Sequence, residues 1–200
     1  MKCGATDHSH FLDLNNLEEA LKVHVSIQLN DLMKIMNENK ASKKDFTNVL
    51  YALDIVKVAN AHFLFVMYWV FKKNMQNGSI KCPNLRQNMT NLCLLYGLTH
   101  LQKDLTWLYK SGYFKSNIDY PALIMQAIKE LLTRIRPQAL SIIESCNLTD
   151  EMICSAIGNQ YGDIYETHLE CAKNSRLNKN KDNIADGFKE IVLPIIQHKM

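Results

Sequence analysis

Apolar residues recur at helical spacing along most of this chain. Leu17, Leu21, Val25, Leu29, Leu32 and Met36 lie three or four positions apart, which predicts a helix over residues 16–39 with those side chains on one face. Glu18 and Glu19 fall in its first turn, where they suit the positive end of the helix dipole. Lys40 to Lys44 break the pattern. A second helix is predicted over 45–75, with Val49, Leu53, Val56, Ala59 and Phe63 marking its face. From Phe63 to Phe71 it is apolar all round, as expected of a segment buried among other helices. Asn77-Gly78-Ser79 supplies the turn that ends it.

A third helix is predicted over 85–109, with Leu95, Leu98, Leu101, Leu105 and Leu108 as its stripe and Ser111-Gly112-Tyr113 as its stop. A fourth begins at Tyr120-Pro121, since proline is tolerated in a first turn. Its face is Ile124, Ile128, Leu131 and Ile135, and Pro137 should kink or break it. The apolar pattern continues over 140–146. Thr149 reads as the N-cap of a short helix over 150–157, closed by Gly158. Asp163 reads as the cap of another, and a last helix is predicted over 182–193, with Pro194 near its end. No strand-like alternation and no internal repeat emerge. The fold class is all-α: a helical bundle of about four long helices followed by shorter ones.

Composition adds exclusions. With only 7 Gly and 4 Pro in 200 residues, a turn-rich β fold is not expected. A net charge of +3 from 23 basic and 20 acidic side chains gives no nucleic-acid footprint. The nine-residue run Phe63 to Phe71 falls short of the roughly 20 apolar residues a membrane span needs, so no membrane span is expected. Residues 1–10 hold no apolar secretory segment, so the sequons at Asn77, Asn88 and Asn147 carry no weight. The six cysteines form no Cys-x-x-Cys pair and read as reduced thiols, several of them buried.

Candidate chemistry is sparse. His8-Ser9-His10 reads as a solvated pair in a polar, mobile segment, because a metal site needs three or four fixed ligands. His62 reads as a satisfied core residue rather than an acid or base. Arg134 and Arg136 flank the proline break; they are expected to pair with Glu130 and Glu144 rather than to hold an anion. Glu166 and Glu170 share a helix face and read as solvated or salt-bridged. No catalytic, cofactor-binding or metal-binding residue is assigned. The C-terminal His198-Lys199-Met200 has the basic and long apolar positions of a peroxisomal address, with His where a small residue is usual.

Four ordered blocks resemble the C-terminal region of peroxisomal acyl-CoA oxidases: Ala59-Asn60-Ala61-His62, Leu92 to Leu98, Lys129 to Arg136, and Tyr161 to Asn178. The last is the longest, with Tyr161-Gly162-Asp163 standing for the family's Tyr-Asp-Gly turn. Pro137 also departs from the family pattern. The resemblance covers residues 12–200, leaving 1–11 as a polar N-terminal segment. It implies the second C-terminal helical domain of an enzyme that oxidises acyl-CoA with FAD and oxygen, giving trans-2-enoyl-CoA and hydrogen peroxide in peroxisomal fatty acid β-oxidation. In that family the flavin site and catalytic glutamate lie in parts that this chain does not resemble. The resemblance therefore implies a structural or assembly role, with no cofactor bound by this chain alone. The expected partner is the remainder of an oxidase, or a second copy through an apolar face. The alternative is a free-standing helical binding protein without catalysis. The expected location is peroxisomal, or cytoplasmic if His198-Lys199-Met200 is not read.

Overall fold

The computed structural model describes residues 2–38, 50–78, 80–158, 162–179, 184 and 187–198. Among these every regular element is helical. The chain divides into two compact units, Met1–Leu140 and Ser141–Met200.

The first unit opens with a 3-10 turn, His8–Leu12, capped by Asp7, whose carboxylate accepts the Ser9 N–H at 2.7 Å. Helix α1, Leu14–Glu38, begins where Asp13 accepts the N–H groups of Asn15 and Asn16 at 2.8 and 3.0 Å. Two of the first turn's unpaired donors are thereby satisfied. The buried face of α1 is Leu17, Ala20, Leu21, Val25, Gln28 and Leu32. Leu29 and Met36, expected on that face, are exposed. At 3.6 residues per turn the stripe drifts, and Gln28 takes the inward position with its amide 3.0 Å from His24 Nε2.

Helix α2 spans Ala52–Gln76 and ends as expected, with Asn77 N–H bonded to Lys73 O and Gly78 in the left-handed region at φ 71°. Its buried residues are Ala61, Tyr68, Lys72 and Met75. The expected face is therefore wrong: Leu53, Val56, Ala59 and Phe63 point to solvent, while Val49 and the break at 40–44 lie outside the described residues.

Helix α3, Pro83–Leu101, stops short, and α4, Thr106–Lys110, resumes after a four-residue break where one helix over 85–109 was expected. Lys103 and Asp104 N–H groups tighten to bonds with His100 and Leu101 carbonyls, and the Asp104 carboxylate then accepts the Thr106 N–H. An aspartate competing for backbone donors ends one helix and starts the next. The leucine stripe survives the break, since Leu98, Leu101 and Leu108 are all buried. Gly112, at φ 71°, closes α4. Helix α5, Tyr120–Ile135, is capped by Asp119, which accepts the Ala122 N–H at 3.1 Å, and buries the four residues expected of it. Pro137 turns the chain through a 3-10 stretch, Arg136–Gln138, into α6, Ala139–Glu144.

The core lies where α1 packs on α2 and α3, α2 on α3, and α3 on α5. The closest approach is at Gly97: a Cβ there would sit 2.8 Å from Leu17 Cδ2 and 2.9 Å from the Tyr68 ring. The Tyr68 hydroxyl donates to Leu14 O at 2.9 Å. A second cluster gathers Phe11, Tyr109, Phe114 and Tyr120, with Phe114 and Tyr120 stacked at 4.0 Å. Cys3, Ala5 and Phe11 are buried, and Cys3 N–H bonds Tyr113 O. The N-terminal segment is thus packed rather than solvated.

In the second unit Thr149 caps α7, Asp150–Ile153, through the Met152 N–H. That helix is one turn long, not eight residues: Cys154 adopts φ 50° and a 3-10 turn, Ala156–Gly158, follows. Helix α8, Ile164–Asn174, starts after Asp163, whose carboxylate accepts the Thr167 hydroxyl. Asn178 donates to Ala172 O near its C-terminal end. The described part of the final segment is a π turn, Phe188–Val192, running into α9, Leu193–Gln197. Pro194 lies in the first turn of α9 and not at a helix end, because its missing N–H costs nothing there.

Candidate assembly surface

Polar groups inside the first unit are engaged in holding helices together. Lys72, 6% exposed, places its ammonium 2.5 Å from Glu18 and 2.6 Å from Asn15, joining α2 to α1. Lys22 also pairs with Glu18. Burial works to raise the Glu18 carboxyl, but hydrogen bonds and charge from Lys22 and Lys72 outweigh it and hold Glu18 below its usual range. Lys110 pairs with Asp31 at 2.5 Å, joining α4 to α1. Burial pushes the Cys93 thiol up to about 12 and the Cys3 thiol in the same direction, which makes both poor nucleophiles. The other four cysteines are exposed, so two rather than several are core residues.

The sequence-derived candidates fare unevenly. His8 is no solvated bystander: its Nε2 lies 2.9 Å from Glu130, which also takes Arg134 as expected. His8 leads the causes that hold the Glu130 carboxyl low, followed by Arg134. His62 is exposed on α2 rather than a satisfied core group. Glu166 and Glu170 are exposed along α8 beside Asp163 and Asn174. His198 closes α9 through a bond from its N–H to Pro194 O, whereas Lys199 and Met200 lie outside the described residues. No group of three or more His, Cys, Asp or Glu among the described residues is arranged for a metal. The widest groove runs along α1, lined by Asn15, Glu18, Glu19, Lys22 and Val23. Two carboxylates line it, and Lys72 is already committed to Glu18, so these residues do not fit a flavin dinucleotide diphosphate, which needs unengaged donors and cations.

The distinctive feature is apolar surface left bare. On α2, Leu53, Val56, Phe63, Met67, Trp69 and Val70 are all exposed, with Lys73 Nζ over the Trp69 ring at 4.8 Å. By length and composition this helix could cross a membrane. Its opposite face, however, is packed on α1 and α3 through Ala61, Tyr68 and the Lys72–Glu18 pair. The second unit is barer still: Tyr165 is 86% exposed, and none of the described residues of α6, α8 and α9 is buried.

The four blocks divide along this line. Cys93, Leu94, Gly97 and Leu98 of the second block, and Leu131 and Ile135 of the third, build the core. Ala59, Asn60 and His62 of the first, and the α8 residues of the fourth, face outward; Tyr161 lies outside the described residues.

Comparison with known proteins accounts for both kinds. The profile of the acyl-CoA oxidase family matches residues 13–197. Peroxisomal acyl-coenzyme A oxidase 1 of Phascolarctos cinereus is 30% identical over 179 residues, covering 85% of this chain and 26% of that protein. The Homo sapiens protein of the same name is 30% identical over 188 residues, covering 90% of this chain and 27% of its own length. The solved structure of Arabidopsis thaliana acyl-CoA oxidase 1 superposes over 100% of this chain and 29% of that one, with a TM-score of 0.74 at 21% identity. The tomato oxidase covers 98% and 29%, with a TM-score of 0.73 at 24% identity. The chain spans about a quarter of the length of the curated relatives it matches, and it belongs to the acyl-CoA oxidase family.

Proposed function

We propose that this chain serves as the C-terminal helical domain of an FAD-dependent, peroxisomal acyl-CoA oxidase, in a structural and assembly role. The observation that carries this reading is the bare apolar face of α2 in a chain that matches only a quarter of its relatives. Monomeric soluble proteins rarely expose large contiguous apolar patches, and those that do commonly use them to bind another surface. The remainder of an oxidase is the natural cover. FAD, acyl-CoA and oxygen belong to the whole enzyme in this reading. No residue of this chain is assigned to the oxidation. His198, Lys199 and Met200 are proposed as a peroxisomal address.

The test has two arms. Purified alone, the chain is expected to be colourless and to make no peroxide from palmitoyl-CoA. Grafted in place of the matching quarter of the Rattus norvegicus enzyme, it is expected to restore a yellow, active protein. A yellow, peroxide-forming isolated chain would overturn the reading, as would a folded graft that cannot retain flavin.

A further inference from the structure

The bare residues of α2 are not scattered. Leu53, Val56, Asn60, Phe63, Met67 and Val70 follow a strict three–four alternation, and every one of them is exposed. A 3.5-residue period held over nearly three heptads is the pattern by which one helix meets another along a left-handed seam. The inward face of the same helix, Ala61, Tyr68, Lys72 and Met75, lies on the opposite side, so the seam and the bundle do not compete.

The area is that of a real interface. The five apolar seam residues are 39–77% exposed. At roughly 200 Å² for a fully exposed large side chain, they present about 550 Å² of apolar surface. A standard interface buries about 800 Å² per partner, somewhat more than half of it apolar, or roughly 500 Å². The α2 seam supplies that amount by itself.

We infer that two copies of this chain pair through α2 in a parallel, in-register seam, with Asn60 meeting its counterpart across the twofold axis. Parallel register matches like with like: Leu53, Asn60 and Met67 form one set of layers, and Val56, Phe63 and Val70 the other. The two Asn60 amides then satisfy each other, whereas an antiparallel seam sets each amide against a Phe63 ring. Lys57 and Lys73 stay at the rim in water. This inference rests on the seam and not on the proposed oxidase role, which the peroxide and flavin measurements read separately.

The experiment is sedimentation equilibrium of the full chain across a concentration series. A monomer–dimer equilibrium is expected, and Phe63→Glu with Met67→Glu should weaken it at least tenfold. Both side chains are exposed in the monomer, so the melting curve serves as a folding control. Leu132→Glu, on the exposed side of α5, should leave the dimer intact. In a chain whose exposed Cys82, Cys146, Cys154 and Cys171 are replaced by Ser, Asn60→Cys should crosslink to its own copy on oxidation. A monomer at all concentrations would overturn the inference, as would a dimer indifferent to the α2 charges. A persistent dimer that Asn60→Cys does not crosslink would overturn the parallel register. Flotation of the chain with phosphatidylcholine vesicles, with no dimer in solution, would overturn it in favour of a lipid surface.

Discussion

Gly97→Ala tests whether the contact between α1, α2 and α3 is as tight as the structure shows. In an exposed helix interior this substitution stabilises by roughly 0.5–1 kcal/mol, because alanine gives up less backbone entropy. Here the added methyl would sit 2.8 Å from Leu17 Cδ2 and 2.9 Å from two carbons of the Tyr68 ring. Leu17 and Tyr68 are both fully buried, so neither can swing into solvent. The Tyr68 ring is also tethered by its hydroxyl to Leu14 O, so moving it strains that bond. Overpacking of this kind costs about 1–3 kcal/mol. Set against the propensity gain, a net loss of about 1–2 kcal/mol is expected. At roughly 2–4 °C per kcal/mol for a chain of this size, that is a fall of about 3–6 °C in melting temperature. Urea unfolding followed by circular dichroism at equilibrium gives the free energy directly. Leu17→Val removes the nearer clashing carbon, so the double variant should lose less stability than the two single variants added together. A Gly97→Ala chain as stable as the parent, or additivity with Leu17→Val, would refute the packing argument.

Glu18→Gln leaves the Lys72 ammonium buried without its anion and should cost about 3 kcal/mol in urea unfolding, while Lys72→Met, which removes the buried charge, should cost clearly less. The folded Glu18 pKa is depressed, so its contribution is present above the unfolded carboxylate range and lost as pH falls through the folded value; unfolding free energies from pH 6 to pH 3 should drop less steeply in Glu18→Gln. Burial holds His24 below its usual pKa, so the unfolded chain binds its proton first and stability should fall as pH drops from 7 through the folded value, an effect that His24→Gln should remove. A fluorescent protein carrying the last twelve residues should become punctate in peroxisomes, and a diffuse signal unchanged by His198→Ser would sink the proposed address.

Helix existence was legible because it rests on local information. Asp119 with Pro121, Thr149 and Gly112 announce ends that the structure keeps. The α5 stripe, Ile124 to Ile135, was read correctly because one side of that helix is polar, leaving only one way to turn it inward. The break at 102–105 was hidden because the leucine spacing continues across it. Asp104 gave the only local hint, as a residue able to take a backbone N–H and restart a helix. Asp13 sends the same signal ahead of α1, and placing the helix start three residues later cost the reading its true cap.

The orientation of α2 shows where periodicity alone runs out. When a helix is apolar on two sides, spacing identifies both stripes but not which one the chain's own core takes. The 53–56–63 stripe is the more hydrophobic to the eye, and it faces outward. The inward stripe carries a lysine and a tyrosine, which ordinarily argue for solvent. They are inside because each has a specific partner: Lys72 finds Glu18 and Asn15, and Tyr68 finds Leu14 O. A buried cation with two partners is directional in a way an apolar contact is not. If α2 rotated to bury Phe63 instead, Lys72 would swing away and leave Glu18 without its buried partner in the interface with α1. The apolar stripe loses comparatively little by waiting for a partner, since any helix of suitable spacing can cover it. Polar pairing therefore decides which way the helix turns. The surplus of apolar residues is left for assembly.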